Sequence, residues 1–360
     1  MHDKDAVRSR RRMLLSRRQA LTGAVAIVAP LAAPAVIDSA ARAQSSRIVL
    51  TTWGGDYARL LHENVEVPIL QKEGIEVVQD LGDEAPRVAK LQAQRRLPRG
   101  ASDVVSVQAV ASYQLAEMGL LEELDATKVP NLKHALPNLG TATFAPHIYS
   151  PQVIIYNPER VPEPPTSFEG LMDPKYAGKV GFPDINYIYA MMAASIYASG
   201  TTSDMDKAKD LLVKLNANGL KLYPTTDSAG PPYKSGELNV GLMWLARVVM
   251  WQNAGIPVKA SFPKEGCVVY ISGMVVPKNA PNKEGAYKYI NAMLEPSAQQ
   301  GFAEHMGYLP TIDNAGLSGK VAEQLALPDP APKLIPPDLA YVSKMQPELA
   351  EWWKKTIQHG

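Results

Sequence analysis

The sequence is poor in cysteine, in aromatic residues and in net charge. It has one cysteine among 360 residues, 7% aromatic residues, and 37 basic against 36 acidic side chains. A single cysteine excludes an internal disulfide, and the balanced charge lacks the basic surplus by which proteins bind nucleic acid. The 46% of hydrophobic residues excludes a disordered chain, and the length favours two lobes over one compact core.

The small positive charge comes from the first 43 residues. They hold eight basic and three acidic residues, so the remaining 317 residues hold 29 basic and 33 acidic ones. A basic start, an apolar run to about Val36 and the small-residue motif Ala41-Arg42-Ala43 are typical of a secretory signal peptide. We therefore predict a signal peptide over residues 1–43, cleaved near Ala43, and a mature protein in the periplasm.

The export route stays open between twin-arginine and general secretion. Arg17-Arg18 resembles the twin-arginine motif, although Ala20 and Thr22 stand where that motif prefers phenylalanine and lysine. A membrane anchor is the alternative to a cleaved signal. The apolar run is short for a span, at about 17 residues, and it contains a glycine and two prolines.

Strand and helix signals alternate along the rest of the chain. β-rich or apolar runs predict strands at 47–53, 75–78, 103–107, 153–156, 179–182, 240–244 and 268–276. Apolar residues at helical spacing predict helices at 56–70, near 88–91, at 112–118, from about 188, at 205–215 and at 282–293. A proline-rich zone from 130 to 165 separates the two series. This alternation predicts an α/β fold with parallel sheets flanked by helices.

Motifs for catalysis and for cofactor binding are missing. No two of the five histidines after residue 43 lie four apart, and the sequence has no Gly-x-Ser-x-Gly elbow and no phosphate-binding loop. Cys267 lies in an apolar, strand-like run, which indicates a buried structural thiol. We therefore predict no catalytic residue, no metal and no cofactor. An exported two-lobed chain of this kind suggests a carrier of small molecules.

Several segments resemble a known family. They are PYKSGELNVGLMW at 232–244, AGIP at 254–257, FPKEG at 262–266, PKNAPNKEG at 277–285, DPKYAGK at 173–179, TTW at 51–53 and GY at 307–308. In order and spacing they resemble the periplasmic spermidine/putrescine-type solute-binding proteins of ABC importers. The resemblance covers essentially the whole mature chain.

The resemblance implies a two-lobed type II periplasmic binding fold, in which each lobe is a central sheet flanked by helices. It assigns 44–148 with 271–307 to lobe 1 and 149–270 with 308–360 to lobe 2, joined by hinge strands near 148–152 and 270–274. It also implies a monomer that captures a small organic solute and docks on a membrane permease.

The resemblance places aromatic residues of this chain in the ligand cleft. Trp53 and Trp244 match family positions whose rings pack against the ligand, and Tyr270 matches a third aromatic position. Each of them has an alternative role, Trp53 and Trp244 as core residues and Tyr270 as an ordinary strand residue. Aromatic faces attract cations and cover alkyl chains, which suits an amine-bearing solute.

The acidic positions of the family are only partly kept. Asp184 falls near a position that supplies a carboxylate to an amine, with a helix N-cap as its alternative role. Asp56 and Asp227 are further candidates that also suit loop or first-turn positions. Ser272 and Tyr187 stand where polyamine-binding members have acids. The loss of two acids argues against a dication, because each buried ammonium needs a partner charge.

Arg247, three residues after Trp244, offers the opposite charge. Its guanidinium can bind a carboxylate through two parallel hydrogen bonds, or it can lie on a helix surface. We predict a solute-binding protein whose ligand is a polyamine or an amino-acid-like zwitterion. The alternatives are a periplasmic enzyme or a ligand-sensing protein on the same scaffold.

Overall fold

The structure is a computed structural model that describes residues 47–359. The predicted signal peptide lies outside the described residues. Within residues 47–359, no helix combines the length and the apolar character that crossing a bilayer requires.

The strands recur along the whole described chain. They are β1 (Arg47–Thr52), β2 (Glu76–Leu81), β3 (Val104–Gln108), β4 (Ala145–Tyr156), β5 (Val180–Pro183), β6 (Lys221–Tyr223), β7 (Val240–Trp244), β8 (Lys259–Ser261), β9 (Cys267–Val275), β10 (Leu309–Pro310) and β11 (Leu334–Ile335).

Helices connect most of these strands. They are α1 (Gly55–Leu61), α2 (Glu84–Ala93), α3 (Ala109–Glu117), α4 (Tyr187–Ser199), α5 (Met205–Ala217), α6 (Pro231–Ser235), α7 (Leu245–Asn253), α8 (Lys283–Met293), α9 (Pro296–Met306), α10 (Gly319–Leu325) and α11 (Leu339–Trp353). A wider π-helical segment, His62–Leu70, continues α1 and contains Pro68, whose missing N–H interrupts the regular α-helical bonding.

The sheet consists of two parallel parts joined by two antiparallel strands. The strand order is β2-β1-β3-β9-β4-β7-β5-β6. β1 is parallel to β2 and β3, and β5 is parallel to β6 and β7. β9 and β4 are antiparallel to each other and to their outer neighbours, β3 and β7. The predicted parallel pairing is confirmed within each part, and the antiparallel centre was not predicted.

Strand β4 begins earlier than the sequence predicts. The prediction placed a strand only at 153–156 because prolines surround it, whereas the strand starts at Ala145 and is buried along almost all its length. Pro146 and Pro151 lie inside it, and the pairing with β9 shifts register between Pro146 and Ile148. A bulge of this kind accommodates a residue that has no N–H to donate.

Each part of the sheet carries its own buried core. One core contains Ile48, Leu61 and Tyr289 next to β1, and another contains Phe182 and Tyr233 next to β5 and β7. The lobe boundaries stay a prediction. The thiol of Cys267 is buried at the start of β9, as predicted, and desolvation raises its pKa to about 12.

Candidate functional site

The parallel strands of both parts of the sheet end around one cleft. Trp53 follows β1, Gln108 ends β3, Trp244 ends β7, and Asn186 and Thr226 follow β5 and β6. The carboxyl ends of parallel strands are where α/β proteins bind ligands, because loops there leave a crevice beside the sheet.

A cavity of about 310 Å³ lies at this edge, and we call it the tryptophan cavity. Its walls are mainly aromatic and apolar, with a few polar groups and one guanidinium. The lining residues are Trp53, Tyr57, Gln108, Ile148, Ile185, Asn186, Thr226, Trp244, Arg247, Tyr270, Met306 and Tyr308. Four predicted site residues, Trp53, Trp244, Arg247 and Tyr270, therefore lie together.

Trp244 belongs to a connected aromatic wall. Its side chain is 5% exposed, and its ring meets Tyr189 edge-on at 4.7 Å and Tyr270 at 5.3 Å between centroids. Tyr270 in turn lies 6.0 Å from Tyr308. Burial raises the pKa of the Tyr270 phenol well above its ordinary value. The wall is therefore neutral and offers ring faces and hydroxyl groups to a ligand.

Trp53 is only half-buried, and a buried arginine covers part of its ring. The Arg87 guanidinium lies 4.4 Å from the ring centroid, and Tyr57 meets the ring edge-on at 5.1 Å. The Tyr57 hydroxyl shares a 2.8 Å hydrogen bond with Nδ1 of His147. Burial lowers the pKa of His147 to about 3, so this ring is neutral and fixes the Tyr57 hydroxyl without adding charge.

Arg247 is the charged side chain of the tryptophan cavity. Among its lining residues in the described part of the chain, no other carries a formal charge. Nη1 of Arg247 donates to Oδ1 of Asp227 at 2.8 Å, and the Asp227 side chain is 81% exposed whereas that of Arg247 is 21% exposed. An exposed ion pair contributes little, so a ligand carboxylate can compete with Asp227 for the guanidinium.

The other predicted acids have partners within the protein. Asp56 is exposed and pairs with Arg59 at 3.1 Å. Asp184 accepts from Nε1 of Trp353 at 2.7 Å and from the Gln358 amide, so it ties the C-terminal segment to the end of β5. None of these side chains lines the tryptophan cavity.

Ser272 and Tyr187, the two replaced acidic positions, also lie outside the tryptophan cavity. The Ser272 hydroxyl is buried and donates to the carbonyl of Val107 at 3.4 Å. Tyr187 packs against Trp353 with 5.8 Å between ring centroids. Burial raises the pKa of the Tyr187 phenol.

A second cavity of about 490 Å³ adjoins the first, and we call it the glutamate cavity. It shares Gln108, Ile185, Asn186 and Tyr270 with the tryptophan cavity. Tyr187 and Glu84 are among its other lining residues. Oε2 of Glu84 accepts a 2.6 Å hydrogen bond from the backbone N–H of Gln108. Desolvation raises the pKa of Glu84.

Sequence reasoning missed several lining residues, and some of them had a signal. Tyr57 lies four residues after Trp53, in the first turn of α1, and Tyr308 belongs to a segment that carries the family resemblance. Gln108 directly follows the predicted strand 103–107, at the same edge of the sheet as Trp53. Glu84 had no signal, because an acid in the first turn of a helix is an ordinary observation.

The described residues offer no metal centre. Within residues 47–359, no group of three or more histidine, cysteine, aspartate or glutamate side chains is arranged to hold an ion. The candidate site consists of aromatic walls, a few polar groups and the Arg247 guanidinium.

Comparison with known proteins identifies the family. The family model for bacterial extracellular solute-binding proteins matches residues 70–329. The spermidine/putrescine-binding periplasmic protein of Escherichia coli is 30% identical over 243 residues, which cover 63% of this chain and 69% of that protein. The resemblance inferred from the sequence is thereby confirmed.

Solved structures show the same fold. An ABC transporter structure from Clostridium perfringens has a TM-score of 0.73 at 22% identity, covering 86% of this chain and 99% of that one. The spermidine/putrescine ABC transporter substrate-binding protein of Streptococcus pneumoniae has a TM-score of 0.68 at 18% identity, with coverage of 86% and 99%. The predicted two-lobed α/β fold is confirmed. Because the family model spans most of the chain, the chain belongs to the bacterial extracellular solute-binding proteins.

Proposed function

We propose that this protein captures a small amine-bearing organic solute in the periplasm and delivers it to the permease of an ABC importer. Support for this comes from the family and from the names of its relatives, which are periplasmic and bind spermidine or putrescine. The same relatives are transport components rather than enzymes, which favours capture over catalysis or sensing.

The composition of the tryptophan cavity favours a zwitterion over a polyamine. Arg247 is the charged residue of its lining in the described chain, and a guanidinium attracts a carboxylate and repels an ammonium. A diamine needs a carboxylate at each end, because an unpaired buried ammonium is costly. The aromatic wall suits the methylene chain of either ligand. This placement of Arg247 is the observation on which the ligand assignment rests.

Capture requires the two lobes to close on the solute. We place the hinge in β4 and β9, the two strands that join the two parts of the sheet, near 148–152 and 270–274. Tyr270 lies in β9 and Ile148 in β4, and both line the tryptophan cavity. A ligand that contacts both lobes favours the closed state, which is the form we expect to dock on the permease.

A thermal-shift panel tests the ligand class. The mature protein is heated with polyamines, linear amino acids, other amino acids and neutral sugars, each in large excess. Ligand at about 100 times its dissociation constant adds roughly 2.7 kcal/mol to the folded state, which is about 3–5 °C for a chain of this size. We expect an amino acid to give the largest shift.

The variant Arg247→Glu tests whether the thermal shift depends on the guanidinium. It should abolish the shift by the amino acid and leave that by spermidine unchanged or larger, because only a carboxylate needs the guanidinium. Arg59→Glu is the matched control, since Arg59 is exposed and lies outside both cavities. If spermidine or putrescine gives the largest shift with the unaltered protein, the ligand is a polyamine and the zwitterion assignment is wrong.

A further inference from the structure

The tryptophan cavity and the glutamate cavity adjoin and differ in charge. They share four lining residues, two of which are Gln108 and Tyr270, so each of these residues borders both cavities. Arg247 lines only the tryptophan cavity, and Glu84 lines only the glutamate cavity. A cation and an anion of the protein therefore line adjacent cavities, and the Tyr270 side chain borders both of them.

Glu84 is held in place by the backbone. It is the first residue of α2, and Oε2 accepts the 2.6 Å hydrogen bond from the N–H of Gln108. Gln108 ends β3, so the bond ties the start of α2 to the sheet. The second carboxylate oxygen is left for a ligand in the cavity. Tyr187, Tyr189 and Tyr270 line the same cavity and supply neutral surroundings.

Arg87 is the nearest cation on the same helix, and both of its Nη atoms donate to backbone carbonyls rather than to Glu84. Its guanidinium donates to the carbonyls of Gly82 at 2.6 Å and Ser106 at 2.9 Å, and it covers the ring of Trp53. Among the ion pairs of residues 47–359, none includes Glu84. Desolvation outweighs the attraction of Arg87 and raises the pKa of Glu84, so a cation bound there would relieve a cost that the unliganded protein bears.

We propose that Glu84 binds the ammonium group of the solute, so that the ligand is a linear zwitterion with its carboxylate at Arg247 and its amine at Glu84. This inference rests on the proposed function and adds the position of the second charge. The tyrosine and tryptophan rings that line the two cavities contact the methylene chain. A terminal amine is thereby distinguished from a neutral terminus, and a short α-amino acid, whose charges are adjacent, cannot reach both groups.

A homologous series of ω-amino acids tests the inference by calorimetry. The probes run from 4-aminobutanoate to 8-aminooctanoate, each compared with the carboxylic acid of the same length that lacks the amine. Affinity should rise to a maximum at the length that engages both ends. At that length Glu84→Gln should weaken the amino acid about thirtyfold or more and leave the plain acid within about twofold, because only an amine loses its partner charge.

The controls separate the possible failures. Glutamine keeps an acceptor for the Gln108 N–H, so Glu84→Gln preserves the local bond, and circular dichroism checks its fold. Glu117→Gln removes the same charge from an exposed position on α3 outside both cavities and should change no affinity.

Two results would overturn the inference. If Glu84→Gln weakens the binding of the amino acid and of the plain acid equally, Glu84 shapes the cavity wall and does not bind the amine. If Glu84→Gln weakens the binding of neither the amino acid nor the plain acid, the amine binds elsewhere. The proposed function still holds in that case if binding of the amino acid depends on Arg247. Failure of the zwitterion assignment, on which this inference rests, has a different signature, which is polyamine binding that does not depend on Arg247.

Discussion

The two ends of the cleft use the same three kinds of residue in opposite roles. Trp244, Arg247 and Asp227 form what we call the arginine end. Trp53, Arg87 and Glu84 form what we call the glutamate end, because Arg87 covers the Trp53 ring, although that ring itself lines the tryptophan cavity. At the arginine end the tryptophan is buried, the arginine lines the cavity and the acid is exposed. At the glutamate end the tryptophan is half-buried, the arginine is buried and the acid lines the cavity.

This reversal teaches that residue type does not settle which of two nearby opposite charges lines a cavity. Burial and backbone contacts settle it. The Arg87 guanidinium donates hydrogen bonds to two backbone carbonyls, whereas the Arg247 guanidinium pairs with one exposed carboxylate that a ligand can displace. The same residue type is thus structural at one end and available for binding at the other.

Truncating each tryptophan should show the largest difference between the ends. Trp244→Ala leaves a void among Tyr189 and Tyr270 and should lower the free energy of unfolding by about 3–5 kcal/mol. Trp53→Ala removes a half-buried ring and should cost about 1–2 kcal/mol. Urea unfolding without ligand measures both. Equal costs would show that the two rings are equally part of the core.

Replacing each arginine by methionine should separate stability from binding. Arg87→Met leaves the Gly82 and Ser106 carbonyls without their donor and should cost about 2 kcal/mol of folding free energy. Arg247→Met should cost less than about 1 kcal/mol, because its partner is exposed. In calorimetry with the best ω-amino acid the order should reverse, with the greater loss of affinity at Arg247. A greater loss at Arg87 would assign the carboxylate to the glutamate end.

Removing the Glu84 charge should produce the smallest effect, and it has a defined pH dependence. Burial raises the pKa of Glu84 in the folded state, so the ionised carboxylate destabilises the unliganded protein, and stability falls as pH rises above about 4.5. Glu84→Gln should therefore unfold at a slightly higher temperature than the unaltered protein at pH 7. The two melting temperatures should converge at pH 4. A variant that is less stable at pH 7 would show that the carboxylate is satisfied without a ligand.

Much of the fold was predictable because most strands and helices have a recognisable pattern of apolar residues in the sequence. The strand at 240–244 has the predicted bounds, since an apolar run there is bounded by polar residues on one side and a helix on the other. The antiparallel placement of β4 and β9 was not predictable, because strand direction depends on where the chain re-enters the sheet. The first half of β4 was not predicted as a strand because it contains prolines.

The resemblance places Trp53 and Trp244 in the ligand cleft, and both residues line the tryptophan cavity at the ends of parallel strands. Their contact with a ligand stays a prediction. Asp184 shows the limit of this reasoning, because Trp353, which bonds its carboxylate, lies 169 residues further along the chain. Glu84 was missed for the same reason, since Gln108 and Tyr270 reach its surroundings from other strands.

The burial of Cys267 has a practical consequence for measuring capture in solution. Thiol reagents react with the thiolate, and a buried thiol with a pKa near 12 offers almost none at neutral pH. It is the single cysteine of the 360 residues. Ile185 is 60% exposed and lines both cavities. A cysteine introduced at Ile185 would therefore be labelled by a fluorescent dye while Cys267 stays unreacted. A dye at that position, beside both cavities, would make the protein an optical sensor for its own solute.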